Sequence, residues 1–229
     1  MIFEESKCPA DKKIANFAKY ARRQNIVRFM VQHEIFKKQL SVKGSVVECG
    51  VHHGGGLMAW AKLSATLEPY NYRRTIVGFD TFEGFPSVAE IDKKGGNPIA
   101  KEGAFGEDYN TFDELQACIK EFDENRYLNH ITKVELVRGD ACQTIPNYIE
   151  ANPHFLVSLL YLDFDIYPPT VVALEHLVSR MPKGGIIAFD EVHNKDWPGE
   201  TQAMLEKFNL NDRRLEAFPF EPNISFIQI

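Results

Sequence analysis

Acidic residues follow two apolar runs of this chain, and they are the side chains best suited to chemistry. Asp163 and Asp165 come directly after the first run, and Asp190 and Glu191 come directly after the second. In an open α/β sheet, ligands bind outside the carboxyl ends of the strands, so these four residues are expected to share one edge. Their oxygen atoms suit a hard divalent cation, with Mg²⁺ as the default. The pattern therefore predicts a metal-assisted group-transfer enzyme.

Asp165 has two interpretations at this stage. It precedes Tyr167-Pro168-Pro169, which is a helix-start signal, so its carboxylate is suited to cap a helix. Its position two residues after Asp163 also allows it to face the same ligand. The sequence leaves both open.

A glycine-rich turn runs from Glu48 to Gly56, between a predicted strand and a predicted helix. It lacks the Gly-x-Gly-x-x-Gly pattern because Val51 and His52 stand at the second glycine, which disfavours a dinucleotide pyrophosphate. Glu48 suits an ammonium group, and free amides at a helix start suit a carboxylate. The turn therefore favours the methionine end of S-adenosylmethionine. We interpret His52 and His53 as turn residues, because adjacent histidines do not easily share a metal.

Two further strands end in acidic residues that could contact the same cofactor. Asp80 ends the second strand, where an acidic group commonly accepts ribose hydroxyls. Asp140 ends the third strand and could reach the adenine or its loop. The alternative for each is a helix cap.

Strand-like and helix-like segments alternate along the chain. Strands are predicted at 45–50, 75–80, 134–140, 155–162 and 185–189, and the terminal strands at 215–218 and 225–229. Helices are predicted at 10–40, 57–67, 112–127, 145–151, 170–180 and 199–208. This order predicts an α/β fold of the Rossmann-like class I methyltransferase type. Its mostly parallel seven-stranded sheet has helices on both faces and a terminal β-hairpin.

The chain is predicted to form a single domain over residues 1–229, with an N-terminal helical segment at 1–44. Residues 81–111 show no clean periodicity, and a loop of this length is either a lid or a disordered surface insertion. Its aromatic residues favour a lid that closes on ligand; they are Phe82, Phe85, Phe105 and Tyr109.

The amino-acid composition of the chain indicates which kinds of partner it is expected to bind. The chain is 44% hydrophobic and 25% charged with a formal net charge of -6, which argues against nucleic-acid binding. The four cysteines form no Cys-x-x-Cys pair, and the sequence contains no signal-peptide core or membrane-spanning run. A cytoplasmic protein without membrane or nucleic-acid partners is expected.

Several of these motifs occur together in a fixed order. They are Glu48–Val51, Asp80–Pro86, Leu162–Tyr167 with Thr170, and Gly184–Gly185 followed by Asp190–Glu191. The ordered set resembles the macrocin O-methyltransferase family, over roughly residues 10–229. The resemblance implies methylation of sugar hydroxyls in antibiotics and other deoxysugars. Residues 198–201 look more like the bacterial branch that acts on nucleotide-linked deoxyhexoses.

The resemblance also implies site residues. Magnesium ligation is implied for Asp163, Asp190 and Glu191. With the turn glycine and the end of the third strand added, the expected cofactor-binding residues are Glu48, Cys49, Gly50, Val51, Gly54, Asp80, Thr81, Phe82, Asp140 and Ala141.

Asp163 is the best candidate to accept the proton of the sugar hydroxyl. Catechol-type relatives use a Lys shortly after the equivalent Asp, whereas Ile166 and Tyr167 stand there in this chain. That absence favours Asp163 as the base, with His193 in reserve.

The sequence also allows three competing interpretations. They are a nicotinamide-dependent oxidoreductase, an O-methyltransferase of a phenolic small molecule, and a non-catalytic domain with a calcium site. A homodimer or larger homo-oligomer is a further expectation from the resemblance.

Overall fold

A seven-stranded sheet forms the centre of the molecule. The structure is a computed structural model that describes residues 2–229. The strands are β1 (Ser45–Cys49), β2 (Ile76–Asp80), β3 (Val134–Arg138), β4 (Val157–Leu162), β5 (Ile186–Phe189), β6 (Leu215–Phe218) and β7 (Glu221–Gln228). Their order across the sheet is β3-β2-β1-β4-β5-β7-β6. The first five are parallel, and β7 pairs antiparallel with both β5 and β6. The predicted mostly parallel seven-stranded sheet with its terminal hairpin is confirmed.

The strand order reverses between β1 and β4, and this point determines where a ligand can bind. Each residue of β1, β4 and β5 is buried, as expected for parallel strands covered on both faces. From β1 the chain moves outward through β2 to β3, and then returns to β4 on the other side of β1. A crevice therefore opens outside the carboxyl ends of β1 and β4.

Helices cover both faces of the sheet. They are α1 (Ile2–Glu5), α2 (Ala10–Ala15), α3 (Phe17–Tyr20), α4 (Arg23–Gln39), α5 (Gly55–Leu67), α6 (Glu90–Lys93), α7 (Thr111–Glu124), α8 (Ala141–Ala151), α9 (Tyr167–Leu177) and α10 (Pro198–Lys207). Buried side chains of α4, α5 and α7 form the core on one face. Those of α8, α9 and α10 form the core on the other. None of the helices in residues 2–229 is both long and apolar enough to cross a membrane.

The N-terminal segment differs from the continuous helix predicted for residues 10–40. The chain breaks after Ala15 and again after Tyr20, and only α4 packs on the sheet. Ile14 and Phe17 are 71% and 61% exposed, although their spacing predicted a buried face. In contrast, Val31 of α4 is fully buried.

The starts of α8 and α9 lie well before the predicted residues 145 and 170, each because a carboxylate caps the helix. Helix α8 begins at Ala141, since Asp140 accepts a hydrogen bond from the Cys142 amide at 2.9 Å. Helix α9 begins at Tyr167, whose amide donates to Oδ1 of Asp92 at 2.9 Å. The interpretation of Asp165 as the cap of α9 is therefore wrong. The N-cap position belongs to Ile166, and the capping carboxylate comes from the segment 81–111.

The segment 81–111 packs on the domain. Asp92 of α6 is fully buried, and it also accepts a hydrogen bond from the Ala89 amide at 3.1 Å. Phe85 and Val88 pack on a small core that includes Trp197. A rearrangement of this segment as a lid remains a prediction.

Candidate active site

One cavity of about 660 Å³ lies outside the carboxyl ends of the parallel strands. The end of β1 and the glycine turn form part of its wall, and the ends of β4 and β5 form another part. The glycine turn and the four acidic residues predicted from the strand ends therefore face one space.

The glycine turn is held in place by Asp80. Oδ2 of Asp80 accepts hydrogen bonds from the amides of Val51 at 2.6 Å and His52 at 2.8 Å. Oδ1 of Asp80 accepts a hydrogen bond from the Phe82 amide at 2.7 Å. At Gly50, φ is +90° and a Cβ would lie 2.0 Å from the carbonyl oxygen of Asp163, so only glycine fits. Asp80 thus shapes the turn from the neighbouring strand while it lines the cavity.

Glu48 places a buried carboxyl group in the cavity wall. It is 2% exposed, and its Oε2 has no hydrogen-bond partner within residues 2–229. A Cβ on Gly56 would come within 2.3 Å of Oε1, so that glycine makes room for it. Burial raises the pKa of Glu48 to about 8, with the charge of Arg28 opposing the rise. A buried carboxyl oxygen without a hydrogen-bond partner is unfavourable, which suits this position to a hydrogen-bond-donating or cationic ligand.

The end of β3 supplies a different part of the wall. Asp140, Ala141 and Phe82 line the cavity there. Phe82 has φ +57° and contacts Phe112 edge to face, with ring centroids 5.2 Å apart. Thr81 lines the cavity and donates a hydrogen bond to the Gly84 carbonyl at 2.6 Å.

The ends of β4 and β5 bring Asp163 and Asp190 together around Arg28 of α4. The guanidinium lies 2.6 Å from Oδ2 of Asp163 and 3.2 Å from Oδ1 of Asp190. The Tyr161 hydroxyl also donates to Asp190. Burial and the neighbouring Asp190 raise the pKa of Asp163 well above its ordinary value, although Arg28 opposes the rise.

Three more carboxyl groups surround this pair. Burial and the charges of Glu191 and Asp190 raise the pKa of Asp165 to about 8. Burial also raises the pKa of Glu191, whose amide donates to Glu200 Oε1 at 2.9 Å. Glu200 is fully buried, and its Oε2 has no hydrogen-bond partner in the described part of the chain. Asp163, Asp190, Asp165, Glu191 and Glu200 are together called the acidic cluster. Their carboxyl groups outnumber the guanidinium of Arg28, which neutralises only one negative charge.

Aromatic side chains form the wall beside the acidic cluster. Phe85 lies 5.8 Å from Trp197 and 5.3 Å from Phe105, measured between ring centroids. All three line the cavity. The cavity therefore has a polar, glycine-rich end and an aromatic end, and the acidic cluster belongs to the same space.

Comparison with known proteins identifies this arrangement. The model of the macrocin-O-methyltransferase (TylF) family matches residues 20–213. The chain belongs to this family. As a macrocin-O-methyltransferase family member it is an O-methyltransferase, and the nicotinamide-dependent oxidoreductase alternative is not supported.

Solved structures agree with the family assignment. CalS11, described as a calicheamicin methyltransferase, shares 33% identity with a TM-score of 0.94 over 99% of this chain and 88% of that one. An apo structure of CalS11, described as a TDP-rhamnose 3'-O-methyltransferase, shares 30% identity with a TM-score of 0.85, covering 99% and 89% of the two chains. The O-methyltransferase NovP has the same fold at 18% identity and a TM-score of 0.66, covering 88% and 78%. The comparison with curated protein sequences gave no match.

Of the residues predicted as catalytic, cofactor-binding or metal-binding, three lie outside the cavity lining. The Cys49 side chain is buried in the core beneath α8 and α9. Gly54 is the N-cap of α5 with φ +81°, and a Cβ there would meet the Leu115 side chain. His193 is exposed, has φ +70°, and donates its amide to the Thr201 hydroxyl at 3.0 Å. The roles predicted for these and the other site residues stay predictions.

Sequence reasoning missed Arg28, Glu200 and the capping residue Asp92. For Arg28 a signal was available, because the residue falls at helical spacing with the buried Val31 and Ile35. A charged side chain on the buried face of a helix suggests a buried partner. Asp92 gave no comparable signal, because the amide that it caps belongs to Tyr167, far along the chain. Glu200 lies within the 198–201 motif, but its contact with the Glu191 amide depends on how the chain folds between the two residues.

Proposed function

We propose that this protein transfers the methyl group of S-adenosylmethionine to a hydroxyl of a deoxysugar, most specifically a nucleotide-linked one, with assistance from Mg²⁺. The observation that carries the proposal is the single cavity that joins the Glu48 turn to the Asp163–Asp190 pair. The similarity to CalS11, a TDP-rhamnose 3'-O-methyltransferase, supports the sugar acceptor.

The polar end of the cavity is proposed to bind the cofactor. The buried carboxyl of Glu48 would pair with the cofactor ammonium, and the amides of Gly55 and Gly56 at the start of α5 would face its carboxylate. Asp80 already accepts three amides, so a ribose hydroxyl would share its remaining lone pairs. The β3 end, with Phe82, would surround the adenine.

The acidic cluster fits a divalent cation by the chemistry of its donors. Carboxylate oxygens are the ligands that Mg²⁺ prefers, and these carboxyl groups exceed the positive charge available from Arg28. Asp163, Asp190 and Glu191 would hold the ion, with Arg28 moving aside. When bound, the ion would lower the pKa of the sugar hydroxyl and orient it.

Asp163 is proposed to take the proton of the sugar hydroxyl. The hydroxyl oxygen attacks the methyl carbon, the carbon–sulfur bond breaks, and the proton passes to the Asp163 carboxylate. This carboxylate lies at the end of β4 and lines the cavity in which the acceptor hydroxyl would bind, as a general base requires. The remaining contribution is positioning, because the hydroxyl must lie in line with the sulfonium methyl group.

The aromatic end is proposed to hold the rest of the acceptor. Phe85, Phe105 and Trp197 offer ring faces to the apolar face of a sugar or to the base of a linked nucleotide. The same rings would also accommodate a phenolic acceptor, so acceptor screening must include phenols.

Binding of S-adenosylmethionine is expected to release close to one proton at pH 7. The Glu48 carboxyl, with a pKa of about 8, is mostly protonated in the free protein, and pairing with an ammonium requires the carboxylate. Binding lowers this pKa, so affinity should rise about tenfold per pH unit below about pH 8. Calorimetric titration at pH 7 in buffers of different ionisation enthalpy measures the proton count.

The same titration separates the possible failures. Absence of S-adenosylmethionine binding, with or without Mg²⁺, would contradict the proposed function. Binding without proton release would contradict only the role of Glu48. NAD serves as the control ligand and is expected not to bind.

The Arg28→Ala variant is expected to bind Mg²⁺ about tenfold more tightly than the wild type. In the wild type the guanidinium competes with the ion for Asp163 and Asp190. Without Mg²⁺ the variant should melt at a lower temperature, because two close carboxylates lose their counter-charge. Thermal melts across a Mg²⁺ series measure both effects.

The exposed Arg23 on the same helix supplies the control variant Arg23→Ala. Equal Mg²⁺ responses in all three proteins would contradict the metal assignment.

A further inference from the structure

Two adjacent histidines and a glutamate meet at the mouth of the cavity. Nε2 of His52 lies 3.4 Å from Oε1 of Glu107, and Nε2 of His53 lies 3.1 Å from the same oxygen. One ligand atom from each residue lies within 4.8 Å of the other two. None of the three belongs to the acidic cluster, so they form a separate group of potential metal ligands.

We propose that His52, His53 and Glu107, here called the His–Glu cluster, bind a divalent transition-metal ion of the zinc type. Ligand atoms around a tetrahedral zinc with bonds of roughly 2.0–2.2 Å lie about 3.4 Å apart. The two nitrogen–oxygen separations of 3.4 and 3.1 Å are close to that value. Imidazole and carboxylate are also a ligand set that zinc accepts, with the fourth position open to water.

The backbone removes the objection that adjacent histidines cannot share a metal. His52 has φ +50°, in the left-handed region, instead of the extended conformation in which neighbouring side chains point to opposite sides. The two imidazole rings lie on the same side of the turn, with centroids 4.0 Å apart and planes at 53°. Both Nε2 atoms therefore reach one carboxylate oxygen.

The surroundings of the His–Glu cluster match those of a metal site. The Tyr109 hydroxyl lies 2.8 Å from Nδ1 of His53, and metal-binding histidines usually form such a bond through their second nitrogen. The side chains of His52, His53 and Glu107 are 45%, 48% and 34% exposed, so an ion can enter.

Metal binding would connect the glycine turn to the segment 81–111. His52 and His53 lie in the turn before α5, whereas Glu107 and Tyr109 lie near the end of that segment. An ion would join the two across the cavity mouth and slow the exchange of bound cofactor. This consequence rests on the proposed function, whereas metal binding by the His–Glu cluster does not.

Cobalt titration of the untagged protein tests the site, because Co²⁺ replaces zinc and absorbs visible light. The titration is made in excess Mg²⁺, which competes for carboxylate oxygens such as those of the acidic cluster and binds imidazole poorly. We expect saturable binding of one Co²⁺, displaced by Zn²⁺, with an absorption spectrum typical of tetrahedral nitrogen and oxygen ligation. The exposed variants His53→Ala and Glu107→Gln should each weaken binding about tenfold or more, at unchanged melting temperature.

The His33→Ala variant is the matched control. His33 also pairs with a glutamate, Glu34, at 3.0 Å, but this pair offers two ligands only. It should bind Co²⁺ like the wild type. Absence of saturable binding in the wild type, or wild-type binding in both His53→Ala and Glu107→Gln, would overturn the site.

Zn²⁺ should also slow S-adenosylmethionine dissociation in the wild type and not in Glu107→Gln. An unchanged rate would overturn the effect on exchange while leaving the titration to decide the site.

Discussion

Replacing Asp163 with Asn is expected to lower kcat for methyl transfer by about 10²–10⁴-fold, the range for loss of a general base. Asn keeps the size of the side chain but cannot accept the hydroxyl proton. The affinity for S-adenosylmethionine should change little, because the proposed cofactor contacts come from the ends of β1, β2 and β3. Steady-state kinetics together with calorimetric cofactor binding measure the two effects.

Asp163 has two proposed roles, and Asp190→Asn separates them. Asp190 is proposed only as a metal ligand, so high Mg²⁺ should restore part of the activity of that variant. High Mg²⁺ should not restore Asp163→Asn, which lacks the base. The exposed Asp196 gives the control variant Asp196→Asn, expected to retain wild-type kcat. Full activity in Asp163→Asn would contradict the assignment of the base.

Replacing Glu48 with Gln is expected to weaken S-adenosylmethionine binding by about 10–100-fold. That range corresponds to about 1.5–3 kcal/mol for a hydrogen bond to a charged group. The proton release expected for the wild type at pH 7 should disappear as well. Exposed Glu102 provides the control variant Glu102→Gln, which should bind like the wild type. Unchanged affinity in Glu48→Gln would show that the ammonium binds elsewhere.

The Glu48→Gln variant should also be more stable than the wild type without cofactor at neutral pH. The Glu48 pKa is about 8 in the folded protein, above the ordinary value of 4.5. The stability that the protonated carboxyl contributes is complete below about pH 4.5 and is lost as pH rises towards about 8. Gln does not titrate, so its advantage should grow across this window. Thermal melts between pH 5 and pH 8, about the same window, measure it.

The sheet could be predicted from sequence because its central strands are continuous apolar runs. Residues of β4, such as Leu159 and Leu162, are fully buried and end at the predicted acidic residues. The start of α8 was predicted too late. Its first turn depends on the Asp140 cap, and Pro146 interrupts the apolar pattern within the helix. Such local capping contacts depend on the exact backbone, which hydrophobic periodicity does not determine.

The strand-end part of the site could also be predicted, because parallel strands deliver their last residues to one edge. Glu48, Asp163 and Asp190 all line the cavity for that reason. The contribution of Arg28 could not be placed from spacing alone, because α4 precedes β1 and reaches the site over the sheet. The close approach of His52 to His53 and Glu107 was missed for a different reason. It depends on a positive φ that a non-glycine residue rarely adopts.

Methyl transfer to a defined acceptor is the most direct test of the proposed sugar O-methyltransferase activity. The protein is incubated with Mg²⁺, S-adenosylmethionine carrying an isotopically labelled methyl group, and TDP-linked deoxyhexoses that include TDP-rhamnose. Phenolic acceptors are included for comparison, and mass spectrometry detects the products. Labelled methyl is expected on a sugar hydroxyl of at least one nucleotide-linked deoxyhexose. Turnover of phenols alone would contradict the sugar acceptor. Absence of any methylated product from a protein that binds the cofactor would contradict the proposed function as a whole.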